Sequence, residues 1–178
     1  MQNRERIQRA SRRLRMILNS VFWAMPVVNA LVWIFMNHFP DYLTSEMLPY
    51  CARIPLPASA RLMGFAAVMI PTGVAMTGAF YLMRLFKLYE QGEIFKLNNV
   101  HCYKKLSRVL IWWFIAGILC RSLLTTALTL HHPPGQRMIS FGLTSTDLTT
   151  LLVGLILMVI AWVMEEGRKL QEDQDLTV

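Results

Sequence analysis

The sequence predicts an all-α integral membrane protein, a four-helix bundle of transmembrane segments with the N and C termini both cytoplasmic. Apolar residues make up 54% of the 178-residue chain, and the mean hydropathy is +0.39, which is more apolar than the roughly 45–50% typical of soluble domains. Four charge-poor runs approach the roughly 20 residues that cross a hydrocarbon core of about 30 Å. Basic residues collect on one side of these runs, which gives the orientation.

The four predicted spans belong to one membrane domain that occupies the whole chain. They cover about residues 16–39, 62–86, 106–130 and 144–164. The first run is longer than the apolar region of a typical signal peptide, so we expect a retained anchor. A proline-rich external loop at 37–61 closes the first hairpin, and a connector at 84–108 joins the two hairpins.

The distribution of lysine and arginine orients the chain. Fourteen basic residues lie before the first span, in the connector or after the last span, whereas Arg53, Arg61 and Arg137 lie on the other side. Lysine and arginine are concentrated in cytoplasmic loops, so both termini and the connector are expected inside. Attraction to anionic lipid accounts for the net charge of +7 without direct nucleic-acid binding.

The first two spans carry polar and small residues that favour helix packing. Residues 1–15 are expected to form a basic amphipathic helix on the inner leaflet that runs into the first span; the alternative is a solvated arm. Asn19 and Asn29 should face neighbouring helices, because an unpartnered amide in lipid is costly. In the second span Gly73 and Thr77 are four residues apart, a spacing that favours close packing within the bundle or, alternatively, between copies.

The connector carries the candidate docking surface for a partner. Phe86 and Tyr89 share one helical face, so the second span should continue about two turns beyond the membrane. Gly92 should end that helix, and Asn98 or Asn99 should cap the next one. The candidate docking residues are Phe86, Tyr89, Gly92, Glu93, Phe95 and Asn99.

Arg121 is the one charged residue within the third span, and Asp147, at the start of the fourth, is the carboxylate expected nearest to it. An unpaired guanidinium in a membrane is unfavourable. We therefore predict a contact between the two, direct or through water and aided by Ser122, Thr125 or Thr126. The pair is either structural, holding two helices together, or part of a ligand or gating site.

No pattern in the chain points to catalysis, a cofactor or a metal. The chain lacks a glycine-rich phosphate loop, a metalloprotease motif and a serine or cysteine with a neighbouring base. Neither a disulfide nor a zinc site is expected from Cys51, Cys102 and Cys120, which fall in three different compartments. His131 and His132 lie in an external turn, which does not favour a haem site. The acidic tail either contacts the basic connector or remains exposed; its carboxylates are Glu165, Glu166, Glu172, Asp173 and Asp175.

Several motifs in the second half resemble the bacterial membrane family DUF2975. They are Gly92, Glu93, Phe95 and Asn99 in the connector, Asp147 and Gly154 around the fourth span, and Gly167, Leu170, Glu172 and Leu176-Thr177-Val178 in the tail. The first span and external loop are similar by hydropathy alone. The resemblance implies a four-span inner-membrane protein with no assigned chemistry, and its association with small helix-turn-helix regulators implies a membrane tether or sensor.

Three functions follow as expectations. The first is a non-enzymatic tether, sensor or regulatory partner that holds a cytoplasmic protein against the connector, the N-terminal helix and the tail. The second is an accessory or assembly subunit of a larger membrane complex, which docks through the small residues of the second span. The third is a transporter or channel for a small solute. The expected partners are anionic inner-leaflet lipid and either the cytoplasmic regulator or the membrane complex.

Overall fold

A computed structural model describes residues 2–40, 55–92, 96–130 and 139–175, with the backbone alone at 2–4 and 171–175. Four long helices account for nearly all of these residues: α1 (Gln2–Phe35), α2 (Ala58–Glu90), α3 (Leu97–Thr129) and α4 (Ser145–Asp175). A short 3-10 turn, Met36–His38, extends α1, and no strand occurs in the described ranges. Each long helix contains a segment apolar enough to cross a membrane, so the predicted fold class is confirmed.

The helices pack in chain order. Close contacts join α1 to α2, α2 to α3 and α3 to α4. Each pair is antiparallel: Arg15 in the N-terminal half of α1, for example, contacts Glu90 at the end of α2. The start of α1, the end of α2, the start of α3 and the end of α4 therefore meet at one end of the bundle.

The contact between α1 and α2 depends on a small residue and on a polar pair. The ring of Trp33, 5% exposed, lies directly over Gly64, so a Cβ on that glycine would overlap the ring. One turn away along α1, the Asn29 amide donates to Thr72 Oγ1 at 3.1 Å, which confirms that Asn29 faces a neighbouring helix. Asn19 is exposed beside a groove between the same two helices, so the prediction that it packs against a neighbouring helix is wrong.

Apolar packing and two hydrogen bonds to the loop close the end of the bundle near Trp33. Trp33 and Met36 pack with four apolar residues of the loop, α2 and α3, namely Leu56, Ala60, Leu124 and Leu128. The Asn37 side chain donates to the carbonyl of Leu56 and accepts from its amide, both at 3.0 Å. The two sides of the 37–61 loop are therefore joined at its base.

The N-terminal residues belong to the bundle. The helix begins at Gln2 and continues into the first span as predicted. However, Ser11 is 3% exposed, and the Arg15 guanidinium contacts α2. One face of this stretch thus packs against protein, which differs from a helix lying only on lipid and from a solvated arm.

The connector follows the prediction at its start and departs from it afterwards. The helix α2 continues to Glu90, and Gly92 follows with φ +77°, a conformation that favours glycine at a helix end. The next helix begins at Leu97 with Lys96 at its N-cap, so the predicted cap at Asn98 or Asn99 is wrong. Asn99 lies in the first turn, where its side chain is fully buried.

We expect Gly64→Ala to destabilise the bundle and Gly73→Ala to leave it unchanged or slightly more stable. Overpacking against the Trp33 ring costs about 1–3 kcal/mol, whereas alanine in place of glycine gains about 1 kcal/mol within a helix. Gly73 is the matched control because, apart from its own stretch of helix, no described atom lies within 4 Å of its Cβ position. Unfolding in detergent measures the difference, and equal effects of the two changes would contradict this packing.

Candidate functional site

Most of the basic residues lie at one end of the bundle, which contains the start of α1, the end of α2, the start of α3 and the end of α4. We call it the basic end and define it as residues 2–15, 84–92, 96–108 and 165–175. Each of its stretches continues a helix past the charge-free part of a span. At about 1.5 Å per residue, the extensions are about 10 Å for α2 and about 16–21 Å for the other helices. No comparable extension occurs at the opposite end of the described helices.

Among the described side chains at the basic end, a polar contact joins each neighbouring pair of helices. Arg15 Nε donates to Glu90 Oε1 at 3.0 Å between α1 and α2. The hydroxyls of Tyr89 and Tyr103 are 2.7 Å apart between α2 and α3. Lys104 Nζ donates to Glu165 Oε2 at 2.7 Å between α3 and α4. Side-chain hydrogen bonds and ion pairs therefore join the extended helix ends, in addition to helix packing.

The candidate docking residues fall into three groups. Phe86 and Tyr89 are half-buried, with ring centroids 6.3 Å apart in an edge-to-face arrangement, and Gly92 is exposed. Glu93 and Phe95 lie outside the described residues. Asn99 is 0% exposed, so its side chain is internal and does not contribute to a docking surface. Sequence periodicity did not indicate this burial, because asparagine next to a turn normally predicts exposure.

The acidic tail contacts the basic connector at one carboxylate that the structure describes. Glu165 binds Lys104, whereas Glu166 binds Lys169 within α4. The pair between Lys104 and Glu165 is part-buried, with side chains 28% and 30% exposed, whereas the pair between Lys169 and Glu166 is exposed. The side chains of Glu172, Asp173 and Asp175 lie outside the described residues. The α4 backbone continues as a helix to Asp175.

At the opposite end Arg121 and Asp147 form a two-bond ion pair. Arg121 Nη2 is 2.6 Å from Asp147 Oδ2, and Arg121 Nη1 is 3.4 Å from Oδ1. The Asp147 side chain is 8% exposed and the Arg121 side chain 34%. The pair therefore links α3 to α4 directly, and the carboxylate is the more deeply buried partner.

Thr144 completes the surroundings of Asp147 by forming a reciprocal cap at the start of α4. The amide and hydroxyl of Thr144 donate to Asp147 Oδ2 at 2.8 and 2.7 Å, and the amide of Asp147 lies 3.3 Å from Thr144 Oγ1. Sequence reasoning missed this role, although a threonine three residues before an acidic residue is the signature of such a cap. Asp147 thus starts α4 and also binds Arg121.

The polar side chains near Arg121 hold the loop before α4. Ser122 Oγ donates to the Ser140 carbonyl at 3.2 Å, and the Ser140 amide donates to Thr125 Oγ1 at 3.2 Å. Thr126 donates to the Ser122 carbonyl within its own helix. Within the described residues, none of the three forms a hydrogen bond to the side chain of Arg121 or Asp147. Their observed partners are the loop and the α3 backbone, which differs from the expected direct support of the pair.

The other candidate sites have little structural support. Among the described residues, no three histidine, cysteine, aspartate or glutamate side chains are grouped to hold a metal. His131 and His132 lie outside those residues, as does Cys51, and Cys102 and Cys120 are free thiols. On α2, Gly73 and Thr77 are exposed, whereas other small residues, such as Gly64 and Gly78, pack against neighbouring helices.

Comparison with known proteins identifies the family. A family model described as "Protein of unknown function (DUF2975)" matches residues 8–178. The chain belongs to the DUF2975 family. Searches of curated proteins and of solved structures gave no match. The match extends the resemblance of the second half to nearly the whole chain. Together with the four apolar helices, it makes this DUF2975 protein a multi-pass membrane protein.

Removing either partner of the ion pair should destabilise this DUF2975 protein. We expect a loss of about 1–3 kcal/mol for Arg121→Ala and for Asp147→Ala, less than for a fully buried pair because Arg121 is partly exposed. The double variant should lose much less than the sum, because each single change leaves the other group unpaired. Asp147→Asn should lose less than Asp147→Ala, since it retains a capping oxygen.

Unfolding in detergent measures these losses. Lys169→Ala is the control because the pair between Lys169 and Glu166 is exposed, and it should change stability by less than about 0.5 kcal/mol. Additive losses in the double variant would contradict a direct energetic coupling between Arg121 and Asp147.

Proposed function

We propose that this protein is a non-enzymatic tether, sensor or regulatory partner, which holds a cytoplasmic protein at its basic end from the bacterial inner membrane. The observation that supports this proposal is the one-sided extension of all four helices. A protein that only filled the bilayer would not need about 10–21 Å of additional helix at one end. Helix ends that extend beyond the lipid and are joined by side-chain contacts offer a preformed docking surface.

The proposed orientation places the basic end in the cytoplasm. Fourteen of the 18 basic residues belong to the segments at that end, and three lie on the other side of the spans. Such a bias in lysine and arginine is the main determinant of topology. The partner would therefore be a cytoplasmic protein.

The composition of the surface indicates the chemistry of the partner. Half-buried Phe86 and Tyr89 lie near exposed Arg84 and Lys87 on α2. Aromatic residues supply most of the binding energy at protein interfaces, and charges supply specificity and association rate. The partner should offer an acidic face with apolar pockets. A small helix-turn-helix regulator, which the family resemblance suggests, could dock by such a face with its basic DNA-binding surface uncovered.

The alternative is an accessory or assembly subunit, and it is supported by the outward-facing small residues of α2. Apart from its own stretch of helix, no described atom lies within 4 Å of the Cβ position of Gly73, and Thr77 is exposed one turn away. Glycine and threonine four residues apart allow another transmembrane helix to approach closely. The transporter alternative has less support, because Asp147 binds Arg121 and caps α4 at once, which fits a structural pair.

Reporter fusions test the orientation. A cytoplasmic reporter inserted after Lys96 should be active, and one inserted after Phe141 should be inactive, because positive charge retains the basic end inside. A periplasmic reporter at the same two sites provides the control and should give the opposite result. Activity of the periplasmic reporter after Lys96 would contradict the proposed orientation.

Photo-crosslinking in living cells tests the docking surface. A photoreactive residue at Phe86 should capture a soluble cytoplasmic protein, and the same residue at Phe141, 76% exposed at the other end, should not. Tyr89→Ala should reduce capture at Phe86 at least fivefold through the loss of an interface aromatic, while Tyr89→Phe should retain most of it. Membrane insertion of every variant is the control.

Two crosslinking outcomes would contradict the tether. If Phe86 captured only integral membrane proteins and a probe at Gly73 did the same, the protein would be a subunit of a membrane complex. If Tyr89→Ala left capture of a soluble protein unchanged, the docking surface would lie elsewhere.

A further inference from the structure

A groove between α1 and α2 opens at the basic end. Its volume is about 810 Å³, within the range of small-molecule pockets in proteins. Arg15 and Asn19 contribute from α1, and Phe80, Arg84 and Lys87 are among the contributors from α2. This groove is separate from the contacts that join the helices, except that Arg15 also binds Glu90.

The lining changes from apolar to cationic along the groove. Phe80 and Met83 belong to the charge-free part of α2, and Arg84 and Lys87 come directly after it. On α1, which runs in the opposite direction, Arg15 directly precedes the charge-free run. Both helices therefore place their cations at the membrane boundary, and Met16, Phe80 and Met83 lie deeper, beside the polar side chain of Asn19.

Two cations of the groove remain available for a ligand. Arg84 and Lys87 are exposed, and neither forms an ion pair with any residue that the structure describes. Arg15 does form one, with Glu90, and this contact holds its guanidinium at the rim of the groove. The two available positive charges next to an apolar cleft are complementary to an anionic headgroup with attached acyl chains.

We propose that this groove is a binding site for one anionic membrane phospholipid. Its phosphate would contact Arg84 and Lys87, and an acyl chain would lie along Phe80 and Met83. The depth at which polarity changes favours a lipid over a soluble anion, because a soluble anion gains nothing from the apolar half. This proposal does not depend on the docking of a cytoplasmic partner, since it requires only that the chain spans a membrane.

Native mass spectrometry of the full chain in neutral detergent tests the proposal. The probes are phosphatidylglycerol and phosphatidylcholine with identical acyl chains. The first bound molecule of phosphatidylglycerol should have at least tenfold higher affinity than the first bound molecule of phosphatidylcholine. The double variant Arg84→Gln, Lys87→Gln should lower the affinity for phosphatidylglycerol about thirtyfold, since each basic residue near anionic lipid contributes about a factor of five in affinity. Phosphatidylglycerol should also raise the unfolding temperature of the unmodified protein, and not of this variant.

The matched control is Lys105→Gln, Arg108→Gln, which removes the same charge from exposed positions of α3 outside the groove. It should change phosphatidylglycerol binding less than threefold. Equal weakening in the two double variants, or equal binding of the two lipids, would overturn the site in favour of non-specific attraction. Displacement of the lipid by millimolar glycerol phosphate would show a soluble-anion site, and a co-purified polypeptide in place of lipid would show a protein site. Both would also overturn the proposal.

Discussion

The thickness of the membrane is the constraint on which this structure depends. A helix of 33 residues, such as α2, is about 50 Å long, whereas the hydrocarbon core is about 30 Å thick. The excess must lie outside the lipid. Because neighbouring helices alternate in direction and each charge-free run stops before the same end of the bundle, most of this excess lies at the basic end. The asymmetry of this protein is thus a consequence of where each charge-free run stops within its helix.

Polar groups are placed where this constraint permits them. The amide of Asn29 binds Thr72 within the span region, and such a bond avoids an unpartnered donor in lipid. An ionised carboxylate, Asp147, lies in the first turn of α4. It has two roles, because it caps α4 and neutralises Arg121. A single carboxylate therefore takes part in the cap of the fourth helix and also joins that helix to the third.

The four long apolar helices and the contact between Arg121 and Asp147 could be predicted, because both follow from the cost of burying charge, which depends on residue type alone. The cap formed by Thr144 and Asp147 is also predictable from the sequence, because a threonine stands three residues before an acidic residue. Burial of Asn99 and the contact between Trp33 and Gly64 could not be predicted, because they depend on the rotation and depth of two helices relative to each other. Single-helix periodicity does not contain that information.

The packing order also gives the last helix a separate status. The helix α4 packs closely on α3 and not on α1 or α2. It is therefore held by one helix–helix interface, with an ion pair near each end, at Asp147 and at Glu165. Proteins open in cooperative units whose stability reflects the contacts that each unit makes. The fourth helix should accordingly be the last to join during biogenesis and the first to detach within the bilayer, leaving a three-helix remnant that retains its own core.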